Sequence, residues 1–321
     1  MKKILLIGTG GTIASIATKD GLTPSILPQE LLSYVKCENV LVECKNLFNV
    51  DSTNIQPKNW YTLAECIKEN YDNFDGFVIT HGTDTLSYTA CAISYLVQNP
   101  HKPIVLTGSQ LPINVKNSDG VKNLEDSILF AQSGFNGVTV CFSGKIIGGV
   151  CSKKLKTVDF DGFESVNYPL IANIENGKIL NFKQNTNNEP TKFYENLCEN
   201  VSVVKLTPNM DKRILDFTAS VSEAIVIEGY GSGGVPKQYM DEIEKIASKN
   251  IPIIISTQCV YEGTFLEKYE VGKCAKDSFN LFESGKMTIE HTLLKAMFCL
   301  SQKKDGVSFN QCFEEKYVKY Y

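Results

Sequence analysis

Two threonines set among glycines are the residues of this chain best suited to covalent chemistry. Residues 9 to 15 read Thr-Gly-Gly-Thr-Ile-Ala-Ser, directly behind the apolar run Lys3-Ile-Leu-Leu-Ile-Gly8. Residues 80 to 85 read Thr-His-Gly-Thr-Asp-Thr, behind Gly76-Phe-Val-Ile. A hydroxyl at a strand exit stands on a rigid base, and neighbouring glycines let a ligand approach the main chain closely. Thr12, beside Gly11, is therefore a candidate nucleophile. Thr83 and Asp84, behind Gly82, add a second hydroxyl and a carboxylate. Asp51-Ser52-Thr53-Asn54 closes a further apolar run, Gly108-Ser109 another, and Gly148-Gly-Val-Cys-Ser-Lys-Lys154 brings a lysine. Two hydroxyls, a lysine, acceptor carboxylates and glycine amides suit acyl transfer from an amide. A hydroxyl attacks the carbonyl, backbone amides hold the oxyanion, and water releases the acid. His81, His101 and His291 are poorly placed for a Ser-His-Asp set.

Each motif has a plainer reading. A strand, glycine-rich turn and helix also open dinucleotide-binding domains, and Gly8-x-Gly10 fits the first half of that fingerprint. Its third small position falls on Ile13, and no well-placed acid closes a second strand. Asp84 or Thr85 could cap a helix beginning near Leu86, and Asp51 could form an Asx turn before Pro57. A lone lysine is usually solvated.

The elements that must carry these loops alternate along the chain. Strands are predicted over Ile4–Ile7, Phe77–Thr80, Ile104–Thr107 and Val138–Phe142, with helices over Pro28–Tyr34, Lys58–Asn70, Leu86–Val97 and Asp119–Gln132. The alternation predicts a mainly parallel sheet with helices on both faces, whose ligands collect at the carboxyl ends of the strands. Polar, asparagine-rich Asn181–Thr191 reads as a linker. Beyond it, strands over Val201–Leu206, Ala224–Glu228 and Ile251–Ser256 alternate with helices over Met210–Phe217, Lys237–Lys249 and Thr288–Leu300. Two α/β domains follow: a larger one over residues 1–184, a linker over 185–200, and a smaller one over 201–321.

Composition narrows the function classes. The chain has 321 residues, 43% hydrophobic and 21% charged, with a formal net charge of −4 and no basic cluster. That is an ordinary globular composition with no electrostatic footprint for nucleic acid. The apolar run before Gly8 is too short for a signal-peptide core, and no later stretch reaches the length of a membrane span. The 11 cysteines are odd in number and contain no C-x-x-C pair, so neither a disulfide framework nor a zinc site is indicated. A cytoplasmic chain free of metal and organic cofactor is expected.

Thr9-Gly-Gly-Thr-Ile-Ala-Ser15 together with His81-Gly-Thr-Asp-Thr85 resembles the two signatures of the bacterial-type L-asparaginases, more specifically the cytosolic type I branch. The resemblance runs nearly the whole chain, through Phe142-Ser-Gly-Lys-Ile-Ile, Gly229-Tyr-Gly-Ser-Gly-Gly-Val-Pro and Tyr269-Glu-Val-Gly272. It implies hydrolysis of L-asparagine to L-aspartate and ammonia by a homodimer or homotetramer. It implies Thr12 as acyl-accepting nucleophile, and Thr83, Asp84 and Lys154 as the second catalytic group. Asp84 also faces the substrate's α-amino group, and Asp51, Ser52 and Thr53 grip its α-carboxylate and amine. Gly11, Gly82 and Ser109 complete the expected substrate contacts. Two positions depart from the family. Leu22 in Asp20-Gly-Leu-Thr-Pro24 stands where a tyrosine on a closing lid is usual, leaving a tyrosine from elsewhere, a water or Thr23 as the base for Thr12. Gly234 stands where a neighbouring protomer often supplies an asparagine. A broader glutaminase/asparaginase, the ammonia-generating component of the archaeal glutamyl-tRNA amidotransferase and a silent amino-acid sensor are the alternatives.

Overall fold

Apolar strands followed by glycine-rich turns build the larger part of the molecule. A computed structural model describes residues 1–19, 21–186, 188–266 and 281–318. Two compact units divide it: Met1–Glu195 with Tyr317 and Val318, and Asn196–Lys316.

In the first unit the strands are β1 (Lys2–Gly10), β2 (Ser15–Thr18), β3 (Gly21–Pro24), β4 (Val40–Val50), β5 (Gly76–Thr80), β6 (Val97–Gln98), β7 (Pro103–Thr107) and β8 (Gly137–Phe142). They continue as β9 (Lys145–Gly148), β10 (Ser152–Lys154), β11 (Phe163–Ser165), β12 (Ala172–Glu175), β13 (Lys178–Leu180) and β14 (Lys192–Phe193). The helices are α1 (Pro28–Ser33), α2 (Pro57–Asn70), α3 (Leu86–Leu96) and α4 (Gly120–Ala131). The main sheet runs β13-β12-β9-β8-β7-β5-β1-β4. Strands β4, β1, β5, β7 and β8 pair in parallel, and β9, β12 and β13 extend the sheet antiparallel.

The β-branched and leucine residues of the central strands are buried on both faces, as crossover connections require. Ile4, Leu6, Val78 and Val105 point into one cluster with Leu31 of α1 and Leu124 and Ile128 of α4. From β1 the chain goes first to β4 on one side and then to β5 on the other. The strand order therefore reverses at β1, and the crevice beyond the carboxyl ends of β1 and β5 is the switch point where such sheets hold ligands.

The second unit contains β15 (Val201–Lys205), β16 (Ala224–Gly229), β17 (Ile253–Thr257) and β18 (Phe282–Glu283), parallel in that order. Its helices are α5 (Arg213–Val221), α6 (Met240–Ser248), α7 (Ile289–Ser301) and α8 (Phe309–Glu314). Helix α5 begins three residues later than its apolar pattern predicts. Met210 N–H closes a turn on Thr207 O, and Asp211 Oδ1 accepts Arg213 N–H, so the chain turns before it winds. The asparagine-rich stretch is anchored on the first unit: Lys183 N–H donates to Ile171 O, Asn185 Nδ2 to Asn136 O, and the Thr191 hydroxyl to Asn99 O. No helix among the described residues is long and apolar enough to cross a membrane.

Since Leu6 is fully buried on β1, between β5 and β4, truncation to alanine leaves a cavity that rigid strands cannot close. Leu6→Ala is expected to lower unfolding stability by about 2–5 kcal/mol, read from urea denaturation followed by circular dichroism.

Candidate functional site

The site is built from loops that leave the sheet at the switch point. Strand β1 pairs with β5 up to Gly8 opposite Thr80, and both chains then turn out of the sheet. Gly11 sits at φ +77°, and a Cβ placed there would lie 2.2 Å from Gly82 N. A Cβ on Gly82 would lie 2.6 Å from Ser52 Oγ. The first two loops therefore meet backbone to backbone, and the loop after β4 closes on them through Ser52. Only glycine permits this approach. Thr12 and Thr83 each follow the glycine at the contact, so the expected nucleophile and second threonine are neighbours.

Ser52 ties the third loop in place. Its buried hydroxyl accepts Asp84 N–H (3.2 Å), and its carbonyl accepts the Thr85 hydroxyl (2.7 Å). Thr85 thus makes a tertiary contact, with no side-chain cap on α3. Asp51, exposed, does form the Asx turn, taking Thr53 N–H (2.8 Å) and the Thr53 hydroxyl (2.7 Å) on Oδ1.

Strand β10 delivers the lysine. Lys154 Nζ donates to Thr83 Oγ1 (2.8 Å) and to Asp84 Oδ1 (2.7 Å). The Asp84 side chain is 54% exposed and that of Lys154 18%. A pair this open to water contributes at most about 1 kcal/mol to stability, so its consequence is geometric. Because Thr83 Oγ1 accepts from the lysine, its own proton is directed elsewhere. The Thr12 side chain is half-buried, and no hydrogen-bond partner is found for it among the described residues.

Two peptide groups in the loops are pinned by their carbonyls. Gly11 O accepts the Ser15 hydroxyl (2.9 Å) and Ala14 N–H (3.1 Å). Gly82 O lies 2.7 Å from His81 Nδ1. The N–H groups that follow, on Thr12 and Thr83, have no acceptor among the described residues. His81 has no role in the reading from sequence, where histidines are few and scattered; its ring is fully enclosed beneath the site. Burial pushes its pKa down to about 4.

Ser109 is fully buried, and its hydroxyl donates to Leu111 O. It holds the loop after β7, while Gly108 packs against His81 O. That loop is further fixed by Asp119, expected only as the start of a helix. Its carboxylate accepts Gln110 and Leu111 N–H, and Asn123 Nδ2 reaches both Asp119 and Gly108 O. Leu22 lies on the β2–β3 hairpin opposite Ala17, 51% exposed, and Thr23 pairs with Ile16. Gly234 closes a tight turn on Tyr230 in the second unit. Asp20 and Tyr269–Gly272 lie outside the described residues.

Fold and loops together define a two-unit α/β protein with a paired-threonine site at a sheet switch point. Residues 3–187 match the family model for the asparaginase N-terminal domain, and residues 200–313 that for the glutaminase/asparaginase C-terminal domain. The chain belongs to the asparaginase family. It is 38% identical over 309 residues to an L-asparaginase of Thermococcus kodakarensis, covering 94% of each chain. The solved structure of the thermostable L-asparaginase from that organism superposes with a TM-score of 0.92, over 99% of this chain and 98% of the other. L-asparaginase 1 of Escherichia coli is 29% identical over 98% of this chain and 96% of its own length. A glutamyl-tRNA(Gln) amidotransferase subunit of Methanobrevibacter smithii is 33% identical over 95% of this chain and 73% of its own length.

The buried neutral ring of His81 makes stability depend on pH. Its pKa is about 4 in the fold against 6.5 when exposed. The contribution is complete above pH 6.5 and is lost as pH falls toward 4, because only the unfolded chain takes up the proton in that window. Between pH 7 and pH 4.5 His81 is expected to account for about 2.5 kcal/mol of lost stability. Urea denaturation at the two pH values, compared with His81→Asn, measures it.

Proposed function

We propose that this protein hydrolyses L-asparagine to L-aspartate and ammonia through an acyl-enzyme on Thr12. The observation that carries the reading is the Lys154–Thr83–Asp84 hydrogen-bonded set, one residue from the Gly82 backbone that touches Gly11. Resemblance to asparaginases over the full length supports the substrate.

In this reading the Thr12 hydroxyl adds to the side-chain amide carbon, forming a C–O bond while the carbonyl π electrons move to oxygen. The unused N–H groups of Thr12 and Thr83 receive that oxyanion, the role in which preorganised backbone donors are most effective. Collapse breaks the C–N bond, and ammonia leaves with the proton it has gained. Water then attacks the ester carbon, aspartate departs, and Thr12 regains its proton. Thr83, polarised by Lys154, orients the water and moves the proton, while Asp84 holds the lysine and faces the substrate ammonium. Asp51, Ser52 and Thr53 line the approach for the α-carboxylate and amine. No acid–base side chain stands at position 22, so the proton of Thr12 passes through water to the Thr83–Lys154–Asp84 set. Assembly as a homodimer or homotetramer belongs to the same reading.

Similarity to the amidotransferase chain favours one rival, an ammonia source that works only with a partner. Ammonia release by the purified chain alone separates the two, and kcat/KM for L-asparagine, L-glutamine and D-asparagine sets the substrate class. A methylene is discriminated by only about 1–3 kcal/mol, so glutamine is expected as a slow substrate.

Thr12→Ala and Thr83→Ala are each expected to lower kcat by at least about 10³-fold with the fold intact. Lys154→Met is expected to lower it by about 10²–10⁴-fold, the range for losing a proton-transfer group. A coupled ammonia assay beside thermal melts decides. Near-normal turnover in Thr12→Ala would remove the mechanism.

A further inference from the structure

The hydrogen bonds beneath the second loop have only one consistent arrangement of protons. A carbonyl only accepts, so His81 carries its proton on Nδ1 and donates it to Gly82 O (2.7 Å). With its pKa near 4 the ring is neutral at physiological pH, and Nε2 is left as an acceptor. Thr89 of α3 supplies the donor, its hydroxyl lying 3.0 Å from Nε2. The same oxygen accepts the indole N–H of Trp60 of α2 (3.0 Å), a group that only donates. The path Trp60 N–H to Thr89 O–H to His81 to Gly82 C=O therefore runs in one direction, and every partner in it is buried.

Gly82 O is the carbonyl of the peptide that bears the Thr83 N–H. Across a trans peptide the carbonyl and the following N–H point in opposite directions. Holding the oxygen down onto His81 therefore turns the Thr83 N–H up, away from the core. That N–H has no acceptor among the described residues. The Gly11–Thr12 peptide is held in the same sense by the Ser15 hydroxyl on Gly11 O (2.9 Å).

We propose that His81, locked as one tautomer by Thr89 and Trp60, is a positioning residue that aims the Thr83 N–H at the oxyanion formed during amide hydrolysis. The inference rests on the amide-hydrolysis reading above. It gives His81 a part in the reaction without contact to substrate or proton transfer. A donor aimed at a charge that develops only in the transition state raises kcat and leaves KM almost unchanged.

Three variants test it: His81→Gln, His81→Asn and Thr89→Val. Asparagine places an N–H where Nδ1 stands and keeps the bond to Gly82 O. Glutamine carries its amide one methylene further and loses that bond. His81→Gln is expected to lower kcat about 100-fold, the effect of losing one oxyanion donor, with KM for L-asparagine changed less than about twofold. His81→Asn is expected to recover kcat to within about fivefold of the unaltered protein. Thr89→Val, which keeps the ring but removes the hydroxyl that holds Nε2, is expected to cost about tenfold in kcat. Melting curves establish that each variant is folded. Should His81→Gln fail to fold, Thr89→Val and His81→Asn carry the test.

The proposal is overturned if folded His81→Gln keeps kcat within about threefold, or if its loss falls on KM. It is also overturned if His81→Asn is as slow as His81→Gln, or if Thr89→Val turns over at the unaltered rate. Activity retained in Thr12→Ala would instead overturn the acyl-enzyme reading beneath it, so the two failures are distinguishable.

Discussion

The contact between the backbones at Gly11 and Gly82 is the constraint on which the site depends. A single added carbon at Gly11 would come within 2.2 Å of Gly82 N, closer than non-bonded atoms approach, and its φ of +77° already disfavours any side chain. Both loops leave adjacent parallel strands whose register is set by buried isoleucine, leucine and valine. The loops inherit that rigidity over only a few residues. A displacement of about 1 Å at a reacting group can cost about 100-fold in rate, so two threonines on separate loops need a contact with no soft atoms in it. Glycine against glycine supplies one.

The polar groups around this contact divide by burial into two kinds. Lys154 and Asp84 are open enough to water that their attraction adds little to folding, and what they fix is the direction of the Thr83 hydroxyl. Ser52, His81, Thr89 and Asn123 are buried, where an unmade hydrogen bond costs about 1–3 kcal/mol. Their side-chain bonds run to the backbone of the loops at Gly82, Asp84 and Gly108, directly or through His81. The interior therefore holds the loop backbones by groups too costly to leave unpaired, and the exposed charges adjust what those loops present. Loop shape and reactivity are thereby set by different residues.

Much of this is legible in the chain, because the signals are local. The strand before Thr12, the strand before Thr83 and the helices around them declare themselves by apolar runs bounded by glycine, aspartate and threonine. Lys154 could be placed only by resemblance, since the bond to Thr83 spans 71 positions. His81 stays hidden because a lone histidine carries no spacing signal, and its partners Thr89 and Trp60 lie on other elements. Asp119 reads as a helix start because acids favour that position, whereas its carboxylate serves the loop eight and nine residues before it. Ser109 looks like a ligand contact because it follows a strand, yet its hydroxyl turns inward to Leu111 O. What escapes is what tertiary packing decides: where a polar side chain turns once its neighbours are fixed.

The same division of labour bears on the hairpin that follows Thr12. Strands β2 and β3 are four residues each, and Ile16, Ala17, Leu22 and Thr23 are all exposed. A two-stranded ribbon of that length has little stability of its own, so its position relative to the sheet is held mainly at its ends. Those ends are firm: Ser15 donates to Gly11 O, while Ser25 and Ile26 N–H both donate to Ala14 O. The bonds that set the Thr12 peptide therefore lie at the base of the hairpin. A leucine at position 22 fits that arrangement. More than half exposed on the hairpin, it brings no acid or base there.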